Sequence, residues 1–142
     1  MTFPIAPPVS PLICYEVIFP HAVVDPREPR PGWLVNVTDD SWFGPWAGPM
    51  QHLLIARMRA IEEGIPVVRA ANTGISTVID PLGNIRARLD LDRAGTLDAD
   101  LPAVLEPTPF ARSGWYTFWL LLLGCIVAAG LVMPLQLMRK HL

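Results

Sequence analysis

The sequence predicts an α/β layer followed by a membrane-length helix, and three observations point that way. Short apolar runs bounded by turn residues recur between residues 12 and 101, as strands do. The stretch 50–63 instead spaces its apolar residues as a helix does. From Trp115 to Met133, nineteen residues pass without a charge, with Thr117 the only clearly polar side chain. At about 1.5 Å per residue that run spans roughly 28 Å, close to the ~30 Å hydrocarbon core of a bilayer.

In chain order, Met1 to Pro11 reads as an extended, proline-rich segment, and Leu12 and Ile13 as a short strand ending on Cys14. Val17-Ile18-Phe19 is helix-like, with Pro20 as its stop. Pro20, Pro26, Pro29 and Pro31 forbid regular structure until Trp33-Leu34-Val35-Asn36-Val37-Thr38, whose continuous apolar character suggests a buried central strand. Asp39 to Pro49 is a loop carrying Trp42, Phe43 and Trp46. In the helix from Met50 to Glu63, Met50, Leu53, Leu54, Met58 and Ile61 form the expected buried face. Arg57, Arg59, Glu62 and Glu63 are the expected solvated positions, and Gly64 follows the last turn. Ile65 to Ala71 and Ile75 to Ile79 read as strands joined by the Asn72-Thr73-Gly74 turn. Asp80 to Asn84 turns into alternating Ile85 to Leu89, and a last strand is expected at Thr96 to Leu101. Four or five strands and one strong helix make half of a layered α/β sandwich, with too few helices to cover both faces of the sheet.

Composition fits one modest globular unit plus a membrane segment: 142 residues, 51% hydrophobic and 17% charged, with mean hydropathy +0.36. A formal net charge of -2 with scattered basic residues leaves no footprint for nucleic acid. Trp115, Tyr116 and Trp119 gather at the start of the apolar run as an interfacial belt, and Arg139, Lys140 and His141 follow its end. That bias puts the C-terminus in the cytoplasm and the preceding residues outside, which in a two-membrane bacterium is the periplasm. Met1 to Pro11 has neither the charged nor the apolar region of a signal peptide.

Cys14 lies in Ile13-Cys14-Tyr15-Glu16, where a strand tip turns into a helix. A thiol there is open to substrate and near backbone N–H donors, as a nucleophile requires; the bland alternative is a small buried hydrophobe. Cys125 reads as a small membrane residue, so a disulfide between the two is geometrically improbable.

Five ordered blocks carry a resemblance: Leu12 to Glu16, Asn36 to Gly44, Gln51-His52, Ala56 to Ala60, and Arg69 to Gly74. With the apolar helix behind them, they resemble the second half of the nitrilase-like (carbon-nitrogen hydrolase) domain of bacterial apolipoprotein N-acyltransferases. Asp39 stands where that family more usually carries asparagine. The resemblance implies a partial αββα sandwich over residues 12–110, a transmembrane helix over 115–133 and a cytoplasmic tail over 134–142, behind the proline-rich 1–11. It places the chain in the bacterial inner membrane with the catalytic domain periplasmic.

The implied chemistry is a two-step acyl transfer. The Cys14 thiolate takes a fatty acid from a phospholipid as a thioester and passes it to the N-terminal amine of a diacylglyceryl-modified lipoprotein. The Tyr15 backbone N–H stabilises the oxyanion and Glu16 is a supporting carboxylate near the thiol; at the start of a helix Glu16 also reads simply as favouring the dipole. No cofactor or metal is implied. The family's base glutamate and oxyanion lysine come from upstream of the cysteine, whereas only thirteen residues precede Cys14, and the one lysine, Lys140, follows the apolar run. The chain is therefore expected to be a C-terminal fragment, inactive by itself. The alternatives are a membrane-tethered amide hydrolase of the same superfamily and a non-catalytic remnant of the acyltransferase.

Other candidates have ordinary readings beside the functional one. His52 opens a helix and is expected to pack or cap rather than act as a base. Asp39-Asp40 is expected to serve a turn, because no histidine accompanies it at ligand spacing. Trp42, Phe43 and Trp46 either line an acyl-binding surface or pack.

Overall fold

The computed structural model describes residues 6–139, with the backbone alone at 115 and 131–139. It divides into two compact units, Met1–Ala111 and Arg112–Leu142.

The first unit is built on one five-stranded sheet in which the strands lie in chain order. They are β1 (Val9–Ile13), β2 (Trp33–Asp39), β3 (Val67–Asn72), β4 (Ser76–Ile79) and β5 (Ile85–Leu89). β1, β2 and β3 run parallel, and β4 and β5 complete the sheet antiparallel. β1 begins three residues earlier than the proline-rich sequence suggests. Its edge position accommodates Pro11, which has no N–H to give to a ladder, and just before it the Pro8 carbonyl accepts Gly32 N–H at 2.7 Å. The expected strand at 96–101 does not form. Those residues carry no ladder and most are exposed, so they offer β5 no apolar face to pair over.

Parallel pairing sets rows across the sheet. Leu12, Asn36, Arg69 and Thr77 are neighbours in one row, and all four are buried. The next row, Ile13, Val37 and Ala70, faces the other way because side chains alternate along each strand, and it is exposed. The buried face is covered by a 3-10 helix, Cys14–Ile18, and by α1 (Gly48–Glu63), around a core that includes Val17, Leu34, Ala56, Ala60 and Ile79.

α1 exists as expected and ends on Gly64, which takes the left-handed φ of 66° that a residue with a Cβ resists. Its inward face departs from the sequence expectation, with Leu53 the one residue of the expected apolar face that is buried. Met50, Leu54, Met58 and Ile61 are about half exposed, whereas His52, Leu53, Ala56, Arg59, Ala60 and Glu63 are buried. Ala56 and Ala60 let the helix axis approach closely, and the inward charge is paired rather than solvated. Arg59 donates to the Ile18 carbonyl and to Glu62, at 3.3 and 3.0 Å. Arg30 reaches the α1 C-terminus, donating to the Glu63 carbonyl at 2.7 Å and to the Leu105 carbonyl at 2.8 Å, which ties the 105 segment there.

After the short α2 (Pro109–Ser113), the second unit is α3 (Trp115–Arg139). Tyr116, Trp119, Leu120, Leu121 and Ile126 are exposed along it. Among the described residues no helix is long and apolar enough to cross a membrane. The span expected over 115–133 runs into positions whose side chains lie outside the described set.

Candidate active site

The three parallel strands all end at the same edge, and a parallel sheet presents loops there that can converge on a ligand. β1 delivers Cys14, β2 delivers Asp40, and β3 leads into Asn72 and Thr73. Cys14 has φ 50°, a left-handed backbone that costs a residue with a Cβ about 1 kcal/mol or more. Such a conformation persists only when its surroundings hold it, and two groups do so. The Glu16 carboxylate accepts Ile13 N–H at 2.6 Å. From the neighbouring strand, Asn36 Nδ2 donates to the carbonyls of Leu12 and Cys14, at 3.2 and 3.1 Å. Cys14 is partly exposed, and both it and Cys125 are free thiols.

Asn36 belongs to a buried polar chain. Its Oδ1 accepts Arg69 Nη1. Arg69 Nη2 lies 2.6 Å from Asp40 Oδ2, and both side chains are wholly buried. Asp40 Oδ1 is also 2.9 Å from His52 Nδ1 and accepts Thr38 Oγ1 at 3.2 Å. Burial raises the Asp40 carboxyl, but the His52 hydrogen bond and the Arg69 charge outweigh it and leave the pKa below the ordinary carboxylate range. Burial lowers the Arg69 guanidinium from its usual value, opposed chiefly by the charge and hydrogen bond of Asp40. His52 Nδ1 thus faces both the Asp40 carboxylate, at 2.9 Å, and Arg69 Nη2, at 3.1 Å. His52 Nε2 and Arg69 Nε are buried and have no hydrogen-bond partner among the described residues.

The His52 ring closes an aromatic triangle over the elbow. It lies 5.5 Å from Tyr15 and 5.6 Å from Phe43, and Tyr15 and Phe43 are 6.1 Å apart. Of the aromatic loop, Phe43 thus joins the residue that follows Cys14. Trp42 and Trp46 do not; they are 86% and 79% exposed. Asp39 serves the turn as expected, accepting Ser41 N–H at 2.9 Å, whereas Asp40 is the anion of the buried network. Among the described residues no three His, Cys, Asp or Glu side chains group to hold a metal ion.

Sequence reasoning passed over Asn36 and Arg69 as functional positions. A signal was present: Asn36, Thr38 and Asp40 alternate on one face of a strand that reads as buried, and Arg69 interrupts another such strand. Polar groups placed there need partners.

The carbon-nitrogen hydrolase family model matches residues 2–110. The chain belongs to the carbon-nitrogen hydrolase family. The chain is 53% identical over 141 residues to the apolipoprotein N-acyltransferase of Rhodopseudomonas palustris, a match covering 99% of this chain and 25% of that protein. It is 59% identical over 114 residues to the apolipoprotein N-acyltransferase of Bradyrhizobium diazoefficiens, covering 80% and 21%. The chain thus spans about a quarter of the length of the curated relatives it matches. Among solved structures it resembles an amidase from Nesterenkonia sp., with TM-score 0.54, 21% identity, and 83% of this chain and 48% of that one covered. A mutant of that amidase, bearing acrylamide added at its active-site cysteine, gives TM-score 0.53 at the same identity, covering 83% and 49%. These likenesses show the nitrilase-like fold.

Proposed function

We propose that this chain is the nucleophile-bearing part of an apolipoprotein N-acyltransferase. The observation that carries the reading is the 53% identity extending over 99% of the chain, and Cys14 on its left-handed elbow supplies the matching chemistry. The Cys14 thiolate attacks the ester carbonyl of a phospholipid, forming a C–S bond. The tetrahedral oxyanion is held by Tyr15 N–H, the ester C–O bond breaks, and the departing alkoxide takes a proton. The neutral N-terminal amine of a diacylglyceryl-modified lipoprotein then attacks the thioester. A C–N bond forms, C–S breaks, and the amine gives its extra proton to a base.

Glu16 supports the reaction by holding the Ile13 N–H at the entry to the elbow. Phe43, with Trp42 and Trp46 on the same loop, contributes apolar surface for the acyl chain. The base glutamate and the oxyanion lysine come from other parts of the whole enzyme. α3 crosses the bacterial inner membrane, with Arg139 and Lys140 on the cytoplasmic side and Cys14 in the periplasm. Domain limits follow the same reading: a catalytic part over 12–110, a span over 115–133 and a tail over 134–142.

The test is trapping of a radiolabelled fatty acid in a chimera that carries this chain in place of the matching quarter of the Rhodopseudomonas palustris relative. Label released by neutral hydroxylamine, lost in Cys14→Ser and kept in Cys125→Ser, is the expected result. Label that survives Cys14→Ser and vanishes with Cys125→Ser overturns the assignment. Hydrolysis of small amides with no acylation of lipoprotein would favour a membrane-tethered amide hydrolase, and no reaction of either kind a non-catalytic remnant.

A further inference from the structure

The Cys14 carbonyl and the Tyr15 N–H belong to one peptide unit. That unit is planar and trans, so the C=O and N–H point in opposite directions and move together. Asn36 Nδ2 holds the carbonyl end at 3.1 Å and the Leu12 carbonyl at 3.2 Å, which leaves the unit little freedom to rotate. The amide cannot flip to present its oxygen there, because Arg69, a donor with no acceptor, occupies Oδ1. Arg69 is fixed in turn by Asp40, and Asp40 by His52 and Thr38. A hydrogen bond received by the carbonyl also polarises the N–H of the same unit.

We propose that Asn36, clamped by Arg69, is the positioning residue that aims and polarises the Tyr15 N–H toward the acyl oxyanion. This rests on the reading of Cys14 as nucleophile and assigns Asn36 a task apart from packing. Asn36 touches no reacting atom; it acts through the Cys14–Tyr15 peptide. A preorganised oxyanion donor that loses its aim forfeits most of its effect, and loss of one such donor costs about 10²–10³ in rate.

Asn36→Asp and Asn36→Ser separate positioning from packing. The aspartate copies the shape of asparagine but cannot donate to the Cys14 carbonyl, whereas the serine hydroxyl is too short to reach that carbonyl and loses the shape as well. In the chimera, both variants are expected to lower kcat for acylation about 10²-fold with KM little changed. Activity kept in Asn36→Asp and lost in Asn36→Ser would mean that shape alone matters and overturns the proposal. Wild-type kcat in a folded Asn36→Asp protein overturns the proposal.

A second measurement needs no turnover. In the 142-residue chain labelled with 13C and 15N, the Cys14 carbonyl resonance and the Tyr15 amide nitrogen are expected to shift together in both variants. Unmoved signals in both variants overturn the proposal even if the chimera is silent. If the resonances shift as expected while Cys14→Ser remains fully active, the Asn36 contact stands and the nucleophile assignment fails instead.

Discussion

Asp40 and Arg69 form an ion pair 2.6 Å apart with no exposed side-chain surface on either partner. Asp40 follows the end of β2 and Arg69 lies within β3, twenty-nine positions away in sequence, and Asn36 joins Arg69 to the Cys14 elbow. Coulombic attraction at that distance does not by itself stabilise a fold, because both charges lose their hydration. The value of the pair lies in what it holds: removing either partner strands the other.

Arg69→Met is therefore expected to destabilise the chain by about 3–5 kcal/mol, because Asp40 is left as a buried, uncompensated charge. Asp40→Asn combined with Arg69→Met should cost less than the sum of the single changes, since no lone charge remains. Urea unfolding of wild type, Asp40→Asn, Arg69→Met and the double variant checks both statements; strict additivity would mean that the pair is not coupled.

The pH dependence follows from the lowered Asp40 pKa. A carboxyl that titrates below its ordinary value of 3.8 in the fold binds protons more readily when unfolded. Its stabilising contribution is complete above the unfolded value and is lost as pH falls through the lower folded value. Wild type should accordingly lose more stability on acidification through and below pH 3.8 than Asp40→Asn does. Parallel acid-unfolding curves for the two proteins would contradict this.

Gly74 gives the Asp40 carboxylate the space it occupies, because a Cβ built there would collide with it. Gly74→Ala should cost about 1–3 kcal/mol as an overpacking change. The loss should shrink when Asp40 is already alanine. Thermal unfolding of the single and double variants measures it.

The 142-residue chain alone is expected to give no robust acyl transfer. On the proposed reading the base and the oxyanion lysine come from other parts of the whole enzyme, and each would carry about two to four orders of magnitude in rate. Efficient turnover by the purified chain would refute the division of catalytic labour proposed above.

A reporter active only in the cytoplasm, fused after Leu142, should give signal if α3 crosses the membrane with Arg139 and Lys140 inside. A periplasmic signal from that fusion would reverse the orientation and remove Cys14 from the periplasm.

Local pattern in the sequence located β1 to β5, α1 and its Gly64 terminus, the strand-to-helix turn at Cys14 and the family to which the chain belongs, but it also suggested a strand at 96–101 that does not form. Alternation, helical spacing and turn residues act over a few positions, so they can be read without knowing what lies across the fold. The inward face of α1 was not decided that way. Met50, Leu54, Met58 and Ile61 have the spacing of a core stripe, yet the helix turns His52, Ala56, Arg59 and Ala60 inward. Close approach at two alanines and pairing of buried charge outweighed apolar area. Asn36, Asp40, His52 and Arg69 likewise became one network only when parallel pairing placed β2 beside β3 and α1 over their ends. A buried polar residue announces that it needs a partner, but which partner it meets depends on strands and helices that touch only once the chain has folded.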